Sequence, residues 1–270
     1  MRIHLMTDLE GVAGIVNHDD YCCPESRYYE QAKALLTAEV NAAVDGFFAG
    51  GATDVVVFDG HGHGAISCEL LDERAKFSRG TYSPIWPWGL DEGFDAFAII
   101  GQHAKSGTPY SHITHTGSFS VYDVSVNGLS IGEYGDMVLC AKELGIPAIF
   151  AAGEKAFTEE AEALTPGVVT VAVKRGLLPD DGHAYATPEA YSKAKLSAEH
   201  LTPAAARKKI RAGAKLAVER LIKKPKQFRH PDLKAPWHII RRFRPLNVGL
   251  IQHAKDDKSF IAAMNKLYGC

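Results

Sequence analysis

The run Asp54-Val55-Val56-Val57-Phe58 constrains the fold more than any other segment. It is short, unbroken and rich in β-branched residues, so it reads as a strand buried on both faces. That is the condition of a parallel strand covered by helices on either side. Phe97 to Ile100 is a second such run, and Arg2 to Thr7, Ala148 to Ala152 and Val168 to Val173 read as further strands. Helical periods lie between them. In Tyr28 to Phe48 the apolar positions Ala32, Leu35, Leu36, Val40, Ala43, Val44 and Phe47 recur at helical spacing, and Gly50-Gly51 stops the helix. Helices are also predicted over Gly132 to Leu144, Thr158 to Leu164, Pro203 to Ile222 and Lys258 to Leu267. Strands alternating with helices predict an α/β fold, with a largely parallel sheet flanked by helices.

Two segments break this rhythm. Val121 to Ile131 alternates around Asn127-Gly128, the signal of a type I′ turn, and predicts a β-hairpin insertion. Pro225 to Pro245 is punctuated by proline and gives no clear element, and Val248 to Gln252 reads as a last strand.

The chemistry-bearing residues are grouped by position. Asp8 and Glu10 follow the first strand, Asp59, His61 and His63 the second, and His103 the third. Ligands of open parallel sheets bind outside the carboxyl ends of the strands, so these groups converge on one sheet edge. Carboxylates and neutral imidazoles are natural ligands of zinc or a similar divalent ion. Glu133, at the start of a helix, adds a carboxylate whose ionised form the helix dipole favours. Asp8 and Glu10, at i and i+2, face the same way in extended backbone and repel unless cations lie between them. Such a pair points to a two-metal site that activates water for hydrolysis. Each residue alone also has a plainer reading: Asp8 as a cap, Glu10 as solvated surface, His103 as a satisfied structural histidine, His63 as merely exposed. The loop after His103 carries His112 and His115, either of which could serve as general acid or base.

Composition bounds the rest. With 270 residues, 46% of them hydrophobic, the chain can bury a real core. A net charge of −2 predicts neither nucleic acid nor an acidic membrane as partner. The basic stretch Arg207 to Arg229 carries Ile210, Ala214, Ala217, Val218 and Leu221 at core spacing, so its charges read as a solvated helix face. The five cysteines have no disulfide or zinc-knuckle spacing, which favours a reducing compartment. The N-terminus lacks a signal-peptide h-region and no apolar stretch can span a bilayer, so a cytoplasmic protein is expected.

Several separated motifs then stand in a familiar order: Asp8-Leu9-Glu10-Gly11, Asp59-Gly60-His61, Gly101-Gln102-His103-Ala104, Thr108-Pro109, His115, Asn127-Gly128 and Gly132-Glu133-Tyr134-Gly135. Together they resemble the D-aminopeptidases associated with bacterial dipeptide-transport operons, across roughly the first two-thirds of the chain. The resemblance implies an aminopeptidase with two Zn2+ per chain, removing N-terminal D-amino acids from short peptides. It places the metal ligands on Asp8, Glu10, His61, His103 and Glu133, with Asp8 bridging, and the catalytic histidine on His115. It also implies a ring-shaped homodecamer as the homo-oligomer. Metal-activated water is the expected attacking group, with His115 polarising the carbonyl or shuttling a proton. The chain departs from the pattern in the spacing between His103 and His115, which leaves His112 as a competitor, and in Gly60, His63 and residues 229–246. A two-metal phosphoesterase and a non-catalytic metal-binding protein are the alternatives. The expected organisation is a metal-binding catalytic domain over residues 1–178, then a smaller C-terminal subdomain over 179–270 supplying pocket or oligomer contacts, unless the two form one continuous domain.

Overall fold

The structure, a computed structural model, describes residues 1–80, 84–245 and 250–269. The strands are β1 (Arg2–Thr7), β2 (Asp54–Asp59), β3 (Lys76–Ser78), β4 (Ala96–Gln102), β5 (Val121–Val126), β6 (Leu129–Ile131), β7 (Ala148–Glu154), β8 (Val169–Gly176), β9 (Ala198–His200), β10 (Trp237–Phe243) and β11 (Ile251–Asp256). The helices are α1 (His18–Tyr21), α2 (Tyr29–Gly50), α3 (Glu133–Glu143), α4 (Lys155–Leu164), α5 (Pro188–Ser192), α6 (Pro203–Lys223) and α7 (Phe260–Tyr268).

The larger sheet has the order β3-β2-β1-β4-β7-β8-β9. All its pairings are parallel except β8 with β9, which closes one edge antiparallel. Its central strands β1, β2, β4 and β7 are buried on both faces, as their unbroken apolar runs predict, while the edge strands β3 and β9 are more exposed. In β2, Val55 and Val57 join one core while Val56 and Phe58 join the other. The first core packs the sheet against α2 and α6. Those helices approach closely at Gly46, where a Cβ would lie 2.3 Å from the Arg211 carbonyl oxygen. Thr202 and Pro203 start α6, and Ile210, Ala214, Ala217, Val218 and Leu221 form its buried stripe. The second core lies between the other sheet face, α3, α4, α7 and a smaller antiparallel sheet of order β11-β10-β5-β6.

The fold is the expected α/β one, hairpin included. Asn127 and Gly128 both have left-handed backbone, φ 50° and 86°, as a type I′ turn needs. The proline-punctuated segment hides β10, whose alternation is short and bounded by Pro236 and Pro245. The last strand lies at Ile251–Asp256, later than Val248 to Gln252. Its residues Gln252, His253 and Lys255 carry no apolar run, and it forms by pairing with β10. Of the expected strand, residues 248 and 249 lie outside the described residues. Residues 179–270 supply β9 to the large sheet, α6 to its face, and β10 and β11 to the small one.

Glu39 on α2 is buried beneath the loop after β1. One of its oxygens accepts from the Ala13 amide at 3.1 Å, and the other has no hydrogen-bond partner. Burial pushes its pKa from 4.5 up to about 8, with the Ala13 amide and Lys174 offsetting only part. The folded chain therefore holds this proton more tightly than the unfolded one. Stability present below pH 4.5 is lost as pH rises towards 8, at up to about 1.4 kcal/mol per pH unit. Glu39→Gln keeps the shape without the titration and flattens that fall. Denaturant midpoints across this window check it: the variant gains on the wild type as pH rises, whereas parallel profiles would contradict the assignment.

Candidate metal centre

The order of the strands puts the centre in place. β1 lies between β2 and β4, so the chain leaves β1 to one side first and to the other later. The carboxyl ends of these three strands form the topological switch point where open α/β sheets bind ligands. Asp8 and Glu10 follow β1, His61 follows β2 and His103 follows β4. The Asp8 amide donates to the Ile100 carbonyl at 2.8 Å and the Gly11 amide to the Gly101 carbonyl at 2.7 Å, pinning the acidic loop to the end of β4. Gly101 permits this approach. Its φ is +75°, and a Cβ there would lie 1.9 Å from the Asp8 carbonyl oxygen. Glu133 arrives from the first turn of α3.

The five side chains meet. The two Asp8 oxygens face different imidazoles, Oδ1 at 3.2 Å from His61 Nδ1 and Oδ2 at 3.3 Å from His103 Nε2. Glu10 Oε2 lies 3.3 Å from His61 Nδ1, and Glu133 Oε1 lies 3.5 Å from His103 Nε2. One ligand atom each from Asp8, Glu10 and His103 converge within 4.8 Å, and so do those of His103, His115 and Glu133. Backbone carbonyls orient the rings. His61 Nε2 bonds the Cys22 carbonyl at 2.8 Å, His103 Nδ1 the Ala104 carbonyl at 2.8 Å, and His115 Nδ1 the Ile113 carbonyl at 3.0 Å. A carbonyl only accepts, so each of those nitrogens carries the proton. The opposite nitrogens of His61 and His103 face carboxylates, so each must either take up a second proton or share a cation with them.

Two further observations agree. His103 Nε2 and Glu10 Oε2 are buried with no hydrogen-bond partner. Burial alone would keep His61 neutral, yet Glu10 and Asp8 overturn that and push its pKa up to about 12. Burial and the neighbouring Glu10 push Asp8 up to about 7. The cluster is short of positive charge, and a set of carboxylates and imidazoles fits zinc.

His115 stacks on His103 with ring centroids 4.0 Å apart. Burial, then the His103 charge, lowers its pKa to about 4. His112 lies elsewhere: it is fully buried, bonds the Val16 carbonyl at 3.1 Å, and does not line the cavity. His63 is exposed at the cavity rim, and Asp59 turns its carboxylate to the Ala65 and Ile66 amides. The cavity over the centre has a volume of about 520 Å³, with walls from Ile85, Trp86, Trp88, Phe119, Met137 and Tyr268.

Residue-by-residue reading missed three contributors. Gln102 donates to Asp8 Oδ2 at 3.0 Å and to Glu133 Oε2 at 2.8 Å, tying two carboxylates together. Lys174, buried on β8, donates to the Glu10 and Ile15 carbonyls. Arg241 enters the cavity from β10. Gln102 had a signal, its place beside His103, but the other two come from distant strands that only folding brings near.

The α/β sheet thus gathers carboxylates and imidazoles, groups able to hold a divalent ion, at its switch point. Residues 1–244 match the family described as D-aminopeptidase, and the chain belongs to that family. It is 30% identical over 177 residues to a D-aminopeptidase of Bacillus subtilis, an alignment covering 65% of this chain and 64% of that protein. The solved structure of the zinc-dependent D-aminopeptidase DppA from Bacillus subtilis, described as a self-compartmentalizing protease, has the same fold. It matches with a TM-score of 0.81 over 99% of this chain and 96% of its own, at 22% identity. Among the described residues no helix is long and apolar enough to cross a membrane.

Proposed function

We propose that this chain is a dinuclear zinc aminopeptidase that removes N-terminal D-amino acids from short peptides. The observation that carries the reading is Asp8, whose two oxygens each face a different imidazole while Glu10 and Glu133 flank it. A bridging carboxylate needs that placement. Asp8, Glu10, His61, His103 and Glu133 would hold the ions, with Asp8 shared. Zinc held there would supply a lowered pKa for a water and polarisation of the scissile carbonyl. Gln102 fixes the orientation of Asp8 and Glu133 through its amide. His115 keeps its proton on Nδ1, so its Nε2 accepts. That nitrogen takes a proton from the attacking water and returns it to the leaving amine, the work of a general base and then acid. Preference for D-residues and assembly into a closed homo-oligomer, a decamer in the reading from resemblance, are carried over from the family and from the relative's self-compartmentalizing character.

The test is metal analysis of protein purified without added metal, then hydrolysis of paired D- and L-aminoacyl amides. About two zinc ions per chain and faster turnover of the D series are expected. No zinc on purification or titration would sink the metal reading, and faster turnover of the L series would sink the D-residue reading.

A further inference from the structure

We infer that Arg241 binds the free C-terminal carboxylate of the substrate, so that the enzyme selects peptides ending one or two residues beyond the scissile bond. The inference deepens the aminopeptidase reading and rests on it for where that bond lies.

Arg241 breaks the pattern of its strand. Successive side chains of a strand alternate in face, so Trp237, Ile239 and Arg241 share one. Trp237 and Ile239 are buried in the second core, and Arg241 continues their row into the cavity. A charged side chain in an inward row is costly unless something answers the charge. Its neighbours are answered: Arg242 pairs with Asp123 at 3.0 Å, and Arg244 donates to the Gly182 and Tyr185 carbonyls. The Arg241 guanidinium has no carboxylate or carbonyl partner among the described residues. Aromatic rings hold it instead, Phe243 at 4.9 Å and Tyr268 at 5.2 Å. They fix the plane of the guanidinium and leave its forked N–H edge for an acceptor such as a carboxylate.

The cavity wants such a ligand there. Among the described residues Arg241 is the sole lysine or arginine in its wall, against the acids Asp8, Glu10, Glu133 and Asp136. Asp136 feels the Arg241 charge but forms no ion pair with it, and one of its buried oxygens has no partner. The reach is right as well. The guanidinium Nη2 lies 3.6 Å from the place a Cβ on Gly117 would occupy, and the Gly117 amide donates to Glu133 Oε1 at 2.7 Å. Arg241 therefore lies within about 9 Å of the metal-side carboxylate, given ordinary backbone dimensions. An extended residue spans roughly 3.5 Å, so one or two residues past the scissile carbonyl bring a terminal carboxylate to the guanidinium.

The experiment compares D-alanyl-D-alanine with its C-terminal amide, in zinc-loaded wild type, Arg241→Gln and Arg241→Lys. The wild type should favour the acid by about 10–100-fold in kcat/KM, the range of a charge-assisted hydrogen bond. In Arg241→Gln that selectivity should collapse through the KM of the acid, with kcat little changed, and Arg241→Lys should recover part of it. The same pair is titrated calorimetrically against His115→Ala, with and without Arg241→Gln, which reads selectivity without turnover. Acid-selective binding that needs Arg241 upholds the inference even if no hydrolysis occurs, a result that would count against the aminopeptidase reading alone. Equal handling of acid and amide by the wild type, equal weakening of both in Arg241→Gln, or no binding of either overturns it.

Discussion

Asp8→Asn abolishes metal binding and lowers kcat/KM by at least about 10³-fold, the scale of removing a metal's several kcal/mol of charge stabilisation. Among the described residues Asp8 is the one carboxylate paired within 4 Å with both His61 and His103, which suits it to lie between two ions. Asparagine has one acceptor oxygen and no charge, so if that oxygen keeps the Gln102 hydrogen bond, an N–H faces His61 where the second carboxylate oxygen stood. The stability effect distinguishes a metal site from a structural ion pair. Without metal, Asp8 is a buried carboxylate beside another, its pKa pushed up to about 7 by burial and by Glu10. Neutralising it relieves that repulsion. The metal-free variant is therefore expected to melt at or above the metal-free wild type, while added zinc raises only the wild type. Zinc content by mass spectrometry and thermal midpoints with and without zinc check this. A variant that keeps two zinc ions and wild-type activity would remove Asp8 from the bridging role.

His115→Ala behaves in the opposite way. It keeps its zinc and loses about 10²–10⁴-fold in kcat, the usual contribution of a positioned acid or base. The five proposed ligands do not include His115, yet it stacks on His103 at 4.0 Å, so truncation could loosen that ligand. His115→Gln retains most of the volume and serves as the control. Both variants should bind metal like the wild type and both should show that loss in kcat. Hydrolysis at the wild-type rate by either would leave His115 as packing for His103. Loss of zinc from both would make it a ligand instead, an outcome its place with His103 and Glu133 makes worth measuring.

Much of the candidate centre was legible because local pattern and position coincide in this fold. A β-branched run such as Val55 to Phe58 can hardly be anything but a buried strand, and such a strand must end at a sheet edge. The residues immediately after it, Asp59-Gly60-His61, are therefore placed without knowing any other part of the chain. The same logic placed Asp8, Glu10 and His103. It did not separate His61 from Asp59, or His115 from His112, because all four lie at or beyond strand ends. The structure divides them by what they can bond: the Asp59 carboxylate accepts backbone amides of its own loop, and His112 bonds the Val16 carbonyl away from the cavity.

The sequence by itself determined the elements of the large sheet, the hairpin at Asn127-Gly128 and the strand ends at which the acids and imidazoles emerge. Those features depend on residue type and spacing within a dozen positions, where sterics and apolar periodicity act. Only the tertiary structure decided the strand order that sets β1 between β2 and β4, the tie from Gln102 to Glu133, and the entry of Arg241 from a strand formed more than a hundred residues after Asp8. Each of these is a meeting of groups far apart in the chain. β10 in particular is a strand because β5 and β11 complete its hydrogen bonds, not because its own residues demand it.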